Sequence, residues 1–279
     1  MVFKKLLSSL GFGGVDVDTV LSAPVVTPGG PLSGQVHLRA KGDVEITSIQ
    51  LLLICSDGRG ELELARFPVA GVLRLSGGST QAVPFTVTTP AAAPFNLLYG
   101  QQLPGYTIGV RTEMAVSGGS AKTDFDPVTV DAPPVARQVV DALGTIGCRF
   151  VRNELRHGSV AGLPVPAAQA VTFWAPLPAG QQPGPHVPQL TFNFAADETG
   201  TTVVAELTDR PGQGEHHRVT ADDAARLSAD EEGWVVEVDG WVRQVLEQLS
   251  KPSQAPAGSF LQPTMVPPAA PQHGPQQPY

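Results

Sequence analysis

From Val15 to Val130 apolar and polar positions alternate with a period close to two, the spacing that sends successive side chains to opposite faces of a β-strand. Val15, Val17, Val20 and Leu21 open the rhythm, Pro28-Gly-Gly-Pro31 interrupts it as a turn, and Gln35-Val-His-Leu-Arg39 resumes it. Val44 and Ile46 share a face with Ile49, Leu51 and Leu53 only if one position is skipped near Thr47, which predicts a β-bulge there. The run Leu51–Cys55 is apolar on both faces, as a central strand requires. Glu61–Arg66, Val69–Leu75 and Ala82–Thr89 are further strands, the last with Pro84, whose missing N–H predicts an edge or a bulge. Residues 90–105 read as a proline-rich loop. Tyr106–Val116 and Phe125–Val130 then form a hairpin across Ser117-Gly-Gly-Ser120. Turn signals this regular predict a β-sandwich over residues 15–132.

Asp131-Ala-Pro-Pro134 is a stiff linker, because consecutive prolines favour an extended backbone. Val135, Val139, Val140 and Leu143 follow at helical spacing. Strand patterns return at Cys148–Arg152, Ala170–Trp174, Leu190–Phe194 and Thr201–Leu207, and Val235–Val238 reads as a last strand. Trp241, Val242, Val245, Leu246 and Leu249 make the apolar stripe of a short terminal helix before Pro252. The expected architecture is therefore all-β: two tandem sandwiches, residues 15–132 and 133–251. Residues 252–279 hold no charged side chain, eight prolines and five glutamines, a composition that predicts a disordered tail.

At the other end, Phe3, Leu6, Leu7 and Leu10 fall at helical spacing before Gly11, so residues 1–14 predict a short amphipathic helix with Lys4 and Lys5 on its polar face. Two destinations for its apolar stripe remain open: packing against an end of the first sandwich, or weak peripheral attachment to a membrane. Its apolar stretch is too short for a secretion signal, and nothing in the chain approaches the roughly 20 apolar residues of a membrane span, so a cytoplasmic protein is expected.

Composition narrows function mainly by exclusion. A net charge of -8 argues against nucleic acid, which needs clustered cations to release phosphate counterions. Cys55 and Cys148, the two cysteines, lie in apolar strands and read as buried thiols. Gly158-Ser-Val-Ala-Gly162 misses the nucleophile-elbow spacing by one residue. His216 and His217 would point to opposite faces of a strand and so cannot share a metal. Asp222-Asp223 and Asp230-Glu-Glu232 lack calcium-loop spacing and read as solvated residues or helix starts. No catalytic residue, metal or cofactor is expected.

One resemblance is specific. Lys5–Gly14, Val17-Asp-Thr-Val-Leu21, Pro28-Gly-Gly30, Gly34–Leu38 and Ile49–Leu53 together resemble the N-terminal signature of the bacterial sporulation-control, arrestin-like family. Gly109–Val116, Asp124-Phe-Asp126 and Val128–Val130 are similar to the closing strands of that family's first domain. The chain departs at Ser117–Ser120, where family members often carry acidic residues. The resemblance implies two arrestin-like sandwiches, binding of protein partners and a regulatory, non-catalytic role in sporulation or development. Two features of the residues themselves suit partner binding. Open strand edges can accept an extended peptide, and Phe260, Leu261, Met265 and Val266 are unusually apolar for an inert tail.

Overall fold

The computed structural model describes residues 14–157, 163 and 167–250. Its first half is a sandwich. One layer is a three-stranded antiparallel sheet of β1 (Val15–Leu21), β3 (Pro31–Ala40) and β7 (Thr80–Thr88), in the order β1-β3-β7. The facing layer runs β2-β11-β10-β4-β5, from β2 (Val25–Val26), β11 (Lys122–Val130), β10 (Thr107–Val116), β4 (Val44–Ser56) and β5 (Glu61–Ala70), with β6 (Leu73–Leu75) also paired to β4.

Alternation drives this packing. Every second residue of β3 from Leu32 to Ala40 is buried, and Val36 and Leu38 join Ile49, Leu51, Leu53, Ile108, Val110 and Met114 in one core. β4 lies between β10 and β5, as its doubly apolar run predicts. The bulge forms where expected: Ala115 pairs Ser48 and Val116 pairs Ile46, leaving Thr47 unpaired in the ladder. Pro84 sits on edge strand β7, where its absent N–H costs no ladder bond. Cys55 and Cys148 are free and buried, and burial, with lesser help from Asp57 and Asp239 respectively, pushes each thiol up to about 12.

The sandwich's β1/β11 side is closed by side chains. The Thr19 amide on β1 donates to Asp124 on β11 at 2.5 Å, and the Thr19 and Thr112 hydroxyls are 2.5 Å apart. Beside them Asp126 has a buried carboxylate oxygen without a hydrogen bond, and burial, reinforced by Asp124 and Asp18, pushes its carboxyl up to about 7. A carboxyl whose folded value exceeds its unfolded one binds an extra native proton between about pH 4 and pH 7, so stability falls as pH rises through that window. Asp126→Asn is therefore expected to stabilise by about 1–2 kcal/mol at pH 8, after discounting for partial exposure, and by less at pH 5. Melting temperatures of both proteins at the two pH values check this; an equal difference at both would show that Asp126 does not titrate there.

The chain leaves the sandwich through Asp131. Arg137 pairs with the Asp131 carboxylate and donates to the Ala132 carbonyl at 2.9 Å, fixing the start of α1 (Pro134–Thr145), which has proline in its first turn. The second half is an antiparallel meander in the order β12-β13-β14-β15-β16: β12 (Arg149–His157), β13 (Ala167–Trp174), β14 (Gln189–Asp197), β15 (Gly200–Leu207) and β16 (Glu215–Thr220). Two helices follow, α2 (Ala221–Ala229) and α3 (Gly233–Glu247).

The protein is all-β with short helices, but this half differs in detail from a second sandwich. The layer over the sheet's apolar face is made by helices: α1 and α3 pack on each other, and their Val139, Leu143, Val238, Trp241 and Val245 join Phe192, Val203 and Leu207 in the core. Val235–Val238 belongs to α3 and not to a strand, because Trp234, Val238, Trp241, Val242 and Val245 form a continuous helical stripe. Asp222 and Asp223 occupy the first turn of α2, where Thr220 and Asp223 form a reciprocal capping box. The sheet's other face carries a small apolar cluster, Leu163, Ala168, Ala195 and Val204, and a buried polar group: Glu206, 1% exposed, pairs with Arg156, accepts from the Gly212 amide at 2.8 Å and lies beside Asn193.

Candidate functional site

Residues 90–105 read as a loop in the sequence, yet residues 93–105, with Tyr106 at the start of the next predicted strand, build the contact between the two halves. Asn96 anchors the segment to the sandwich: its side-chain oxygen accepts from the Val130 amide at 2.8 Å and its amide donates to the Val130 carbonyl at 2.9 Å. Neighbouring Phe95 faces the second half. Its amide donates to Gln169 Oε1 on β13 at 2.9 Å, and its carbonyl accepts from Gln169 Nε2 at 2.9 Å. Tyr106 Oη donates to the same carbonyl at 2.5 Å. Gln169 Nε2 also reaches Asn153 Oδ1 on β12, and Asn153 Nδ2 donates to the Pro104 carbonyl at 3.0 Å. The Phe95 ring meets Phe194 edge-on at 5.9 Å. At the far end His157 of β12 contacts the Asp57 carboxylate at 2.8 Å, a contact that holds that carboxyl below the usual range.

On the side of this network away from His157, where Phe150 of β12 pairs with Phe173 of β13, lies a groove of about 190 Å³. Phe95, Val171 and Phe173 form its buried base, Leu98, Leu103 and Val140 its half-buried walls, and Tyr99, Gln101 and Phe150 its exposed rim. No charged side chain lines it. Phe150 is 45% exposed although it packs edge-on against Phe173. β12 is an edge strand of its sheet, and Phe150 stands at a register shift, with Val151 left out of the ladder. The opposite rim is the hairpin of β8 (Leu97–Leu98) and β9 (Gln101–Gln102). Its two-residue turn has positive φ at both Tyr99 (50°) and Gly100 (74°), the geometry of a type I′ turn.

Tyr99 is the one non-glycine among the described residues with positive φ. Asn, Asp or Gly usually fills such a position, so a tyrosine there costs on the order of 1 kcal/mol of backbone strain. The compensation is visible: Tyr99 Oη hydrogen-bonds the Asp141 carboxylate on α1 and lies 3.3 Å from the Arg137 carbonyl. A large ring is thereby held half-exposed over an uncharged groove.

Other candidates take different places. His216 and His217 do face opposite ways; His217 stacks on Trp241 at 4.4 Å, and burial holds its imidazole below the usual value. Among the described residues no cluster of three or more His, Cys, Asp or Glu side chains suits a metal, and no helix is long and apolar enough to cross a membrane. Phe3, Lys4, Lys5, Leu6, Leu7 and Leu10, the tail residues Phe260, Leu261, Met265 and Val266, and Gly158–Gly162 lie outside the described residues. Sequence reading missed the groove residues themselves. One signal pointed to them: Phe95, Leu97, Leu98 and Tyr99 are too apolar for a solvated loop.

Sandwich, helix-backed meander and connecting groove define an all-β protein built around a junction between two layered halves. The comparisons with known proteins agree. The profile of the SpoOM protein family, Spo0M, matches residues 3–211, and the chain belongs to that family. The match runs well past Val130, the last residue of the motifs that carried the resemblance. The chain is 27% identical over 221 residues to the sporulation-control protein Spo0M of Bacillus subtilis (strain 168), covering 76% of this chain and 82% of that protein. The crystal structure of Bacillus subtilis Spo0M superposes with a TM-score of 0.66 at 22% identity, over 85% of this chain and 99% of that one, which supports the fold.

Proposed function

We propose that the protein is a non-catalytic regulatory adaptor in sporulation or developmental control, and that it takes an extended, uncharged apolar segment of a protein partner in the groove between its halves. Membership of the Spo0M family and the name of its Bacillus subtilis relative support the regulatory setting. The observation that carries the mechanism is the strained Tyr99 opposite half-exposed Phe150 across an uncharged groove on edge strand β12. Such a site offers aromatic surface for side chains and unpaired backbone groups for an added strand. A charged ligand would lose hydration there with no opposite charge in the lining to replace it.

The test is affinity capture from the host cells with full-length protein, comparing wild type with Tyr99→Ala and Phe150→Ser. Both residues are about half exposed, so the variants should keep a cooperative melt. Specific partners are expected to fall by about tenfold in each variant, the loss of one aromatic anchor. Undiminished capture by both folded variants would reject the groove as the docking site.

A further inference from the structure

We propose that the apolar stretch Phe260–Val266 of this chain occupies the same groove in cis, so that a partner must displace it. The inference rests on the groove being a peptide site. Three observations carry it.

The first is chemistry. The groove has no charged lining residue, and residues 252–279 contain no charged side chain. Phe260, Leu261, Met265 and Val266 supply apolar groups among prolines that favour an extended backbone, the shape an edge strand beside a groove accepts.

The second is where the described chain ends. α3 is followed by a 3₁₀ turn, Gln248–Ser250, in which Gln248 Nε2 donates to Glu215 of β16 at 3.2 Å. Glu215 pairs with Ala205, Ala205 with Phe192, and Phe192 with Val171, which lies in the groove. The end of the fold and the groove therefore share one row of the sheet, three strand spacings apart, or about 14 Å. Residues 251–259 reach about 30 Å when extended, enough to pass over α1.

The third is mass action. A tether of this length holds its ligand at an effective concentration in the millimolar range, so a contact too weak to form between separate molecules is populated within one. A partner then needs either higher affinity or several such segments, which makes the groove selective.

The test uses the full-length chain with a nitroxide on Ser259→Cys; Cys55 and Cys148 are buried and escape labelling. Amide signals of Leu98, Gln101, Leu103 and Val140 are expected to lose intensity about threefold or more, while Val72 and Val236 are unaffected, because the occupied state dominates at this effective concentration. The loss must survive tenfold dilution with unlabelled protein, and Phe260→Asp/Leu261→Asp must abolish it. No broadening at the groove overturns the proposal, as does broadening that persists in the double variant, which would report tethering alone. Broadening removed by dilution assigns the occupant to a second copy and likewise overturns it. The groove reading fails separately: if a free peptide of residues 258–267 leaves the groove signals unmoved in the double variant, it is the peptide site itself that is wrong.

Discussion

Gly105→Ala is expected to destabilise the protein by about 3 kcal/mol or more, lowering its melting temperature by on the order of 10 °C, although it adds a single methyl group. Gly105 has φ of 111°, a conformation that an alanine adopts only with strain. An added Cβ would also fall well inside contact distance of the Asn153 carbonyl oxygen on β12. That atom is backbone in a paired strand, so it cannot swing aside as a flexible side chain would. Relief requires moving the 103–106 segment away from β12, which stretches the Asn153–Pro104 hydrogen bond and pulls at Tyr106, whose hydroxyl holds the Phe95 carbonyl. Calorimetry checks the magnitude. Gly100→Ala, also at positive φ but with open space around its Cβ, separates strain from collision and should cost only about 1 kcal/mol. Equal losses in the two variants would show that the close approach at Asn153 carries no weight.

This contact marks the boundary of what sequence reasoning reaches. The sandwich strands, the bulge at Thr47 and the edge position of Pro84 all follow from a period of two and from proline's missing donor, properties local to a few residues. β16 escaped because an edge strand needs few apolar residues: Glu215-His-His-Arg shows no alternation, and its inward positions are His217, stacked on Trp241, and Val219. Val235–Val238 misled because two valines and a third beyond one glutamate look like a strand until the helical stripe through Trp241 and Val245 is counted with them. The groove failed for a different reason. Gln169, Asn153, Asn96 and Gly105 are polar or small, and they matter through partners 16 to 74 positions away in the chain, which no local period records. What showed in advance was the family, in motifs of the first half; the apolar residues between Pro94 and Pro104 are present in the sequence, but prolines at both ends make the stretch read as a loop.

Gln169→Leu should cost about 2–5 kcal/mol, an effect out of proportion to a substitution that nearly conserves volume. The side-chain amide of Gln169 is 2% exposed and fully used: its oxygen accepts from Phe95, and its nitrogen donates to Phe95 and to Asn153. In the leucine variant the Phe95 carbonyl keeps Tyr106 and the Asn153 amide group keeps Pro104, but the Phe95 N–H and Asn153 Oδ1 lose partners in a buried setting. Each orphaned group costs about 1–3 kcal/mol. Because these bonds tie the halves together, the variant should also lose cooperativity. Trp174, Trp234 and Trp241 all lie in the second half, so their fluorescence reports that half alone, whereas circular dichroism reports both. In wild type one continuous core spans the halves, and the two urea transitions should coincide. In Gln169→Leu they should separate, and the affinity for apolar peptides should fall with them, because the groove wall at Leu98 and Leu103 is carried by the loosened segment. Coincident transitions at an unchanged midpoint would mean that the amide network does not couple the halves, and the groove would then have to be held by the other contacts across the junction, among them Phe95–Phe194, Tyr99–Asp141 and His157–Asp57.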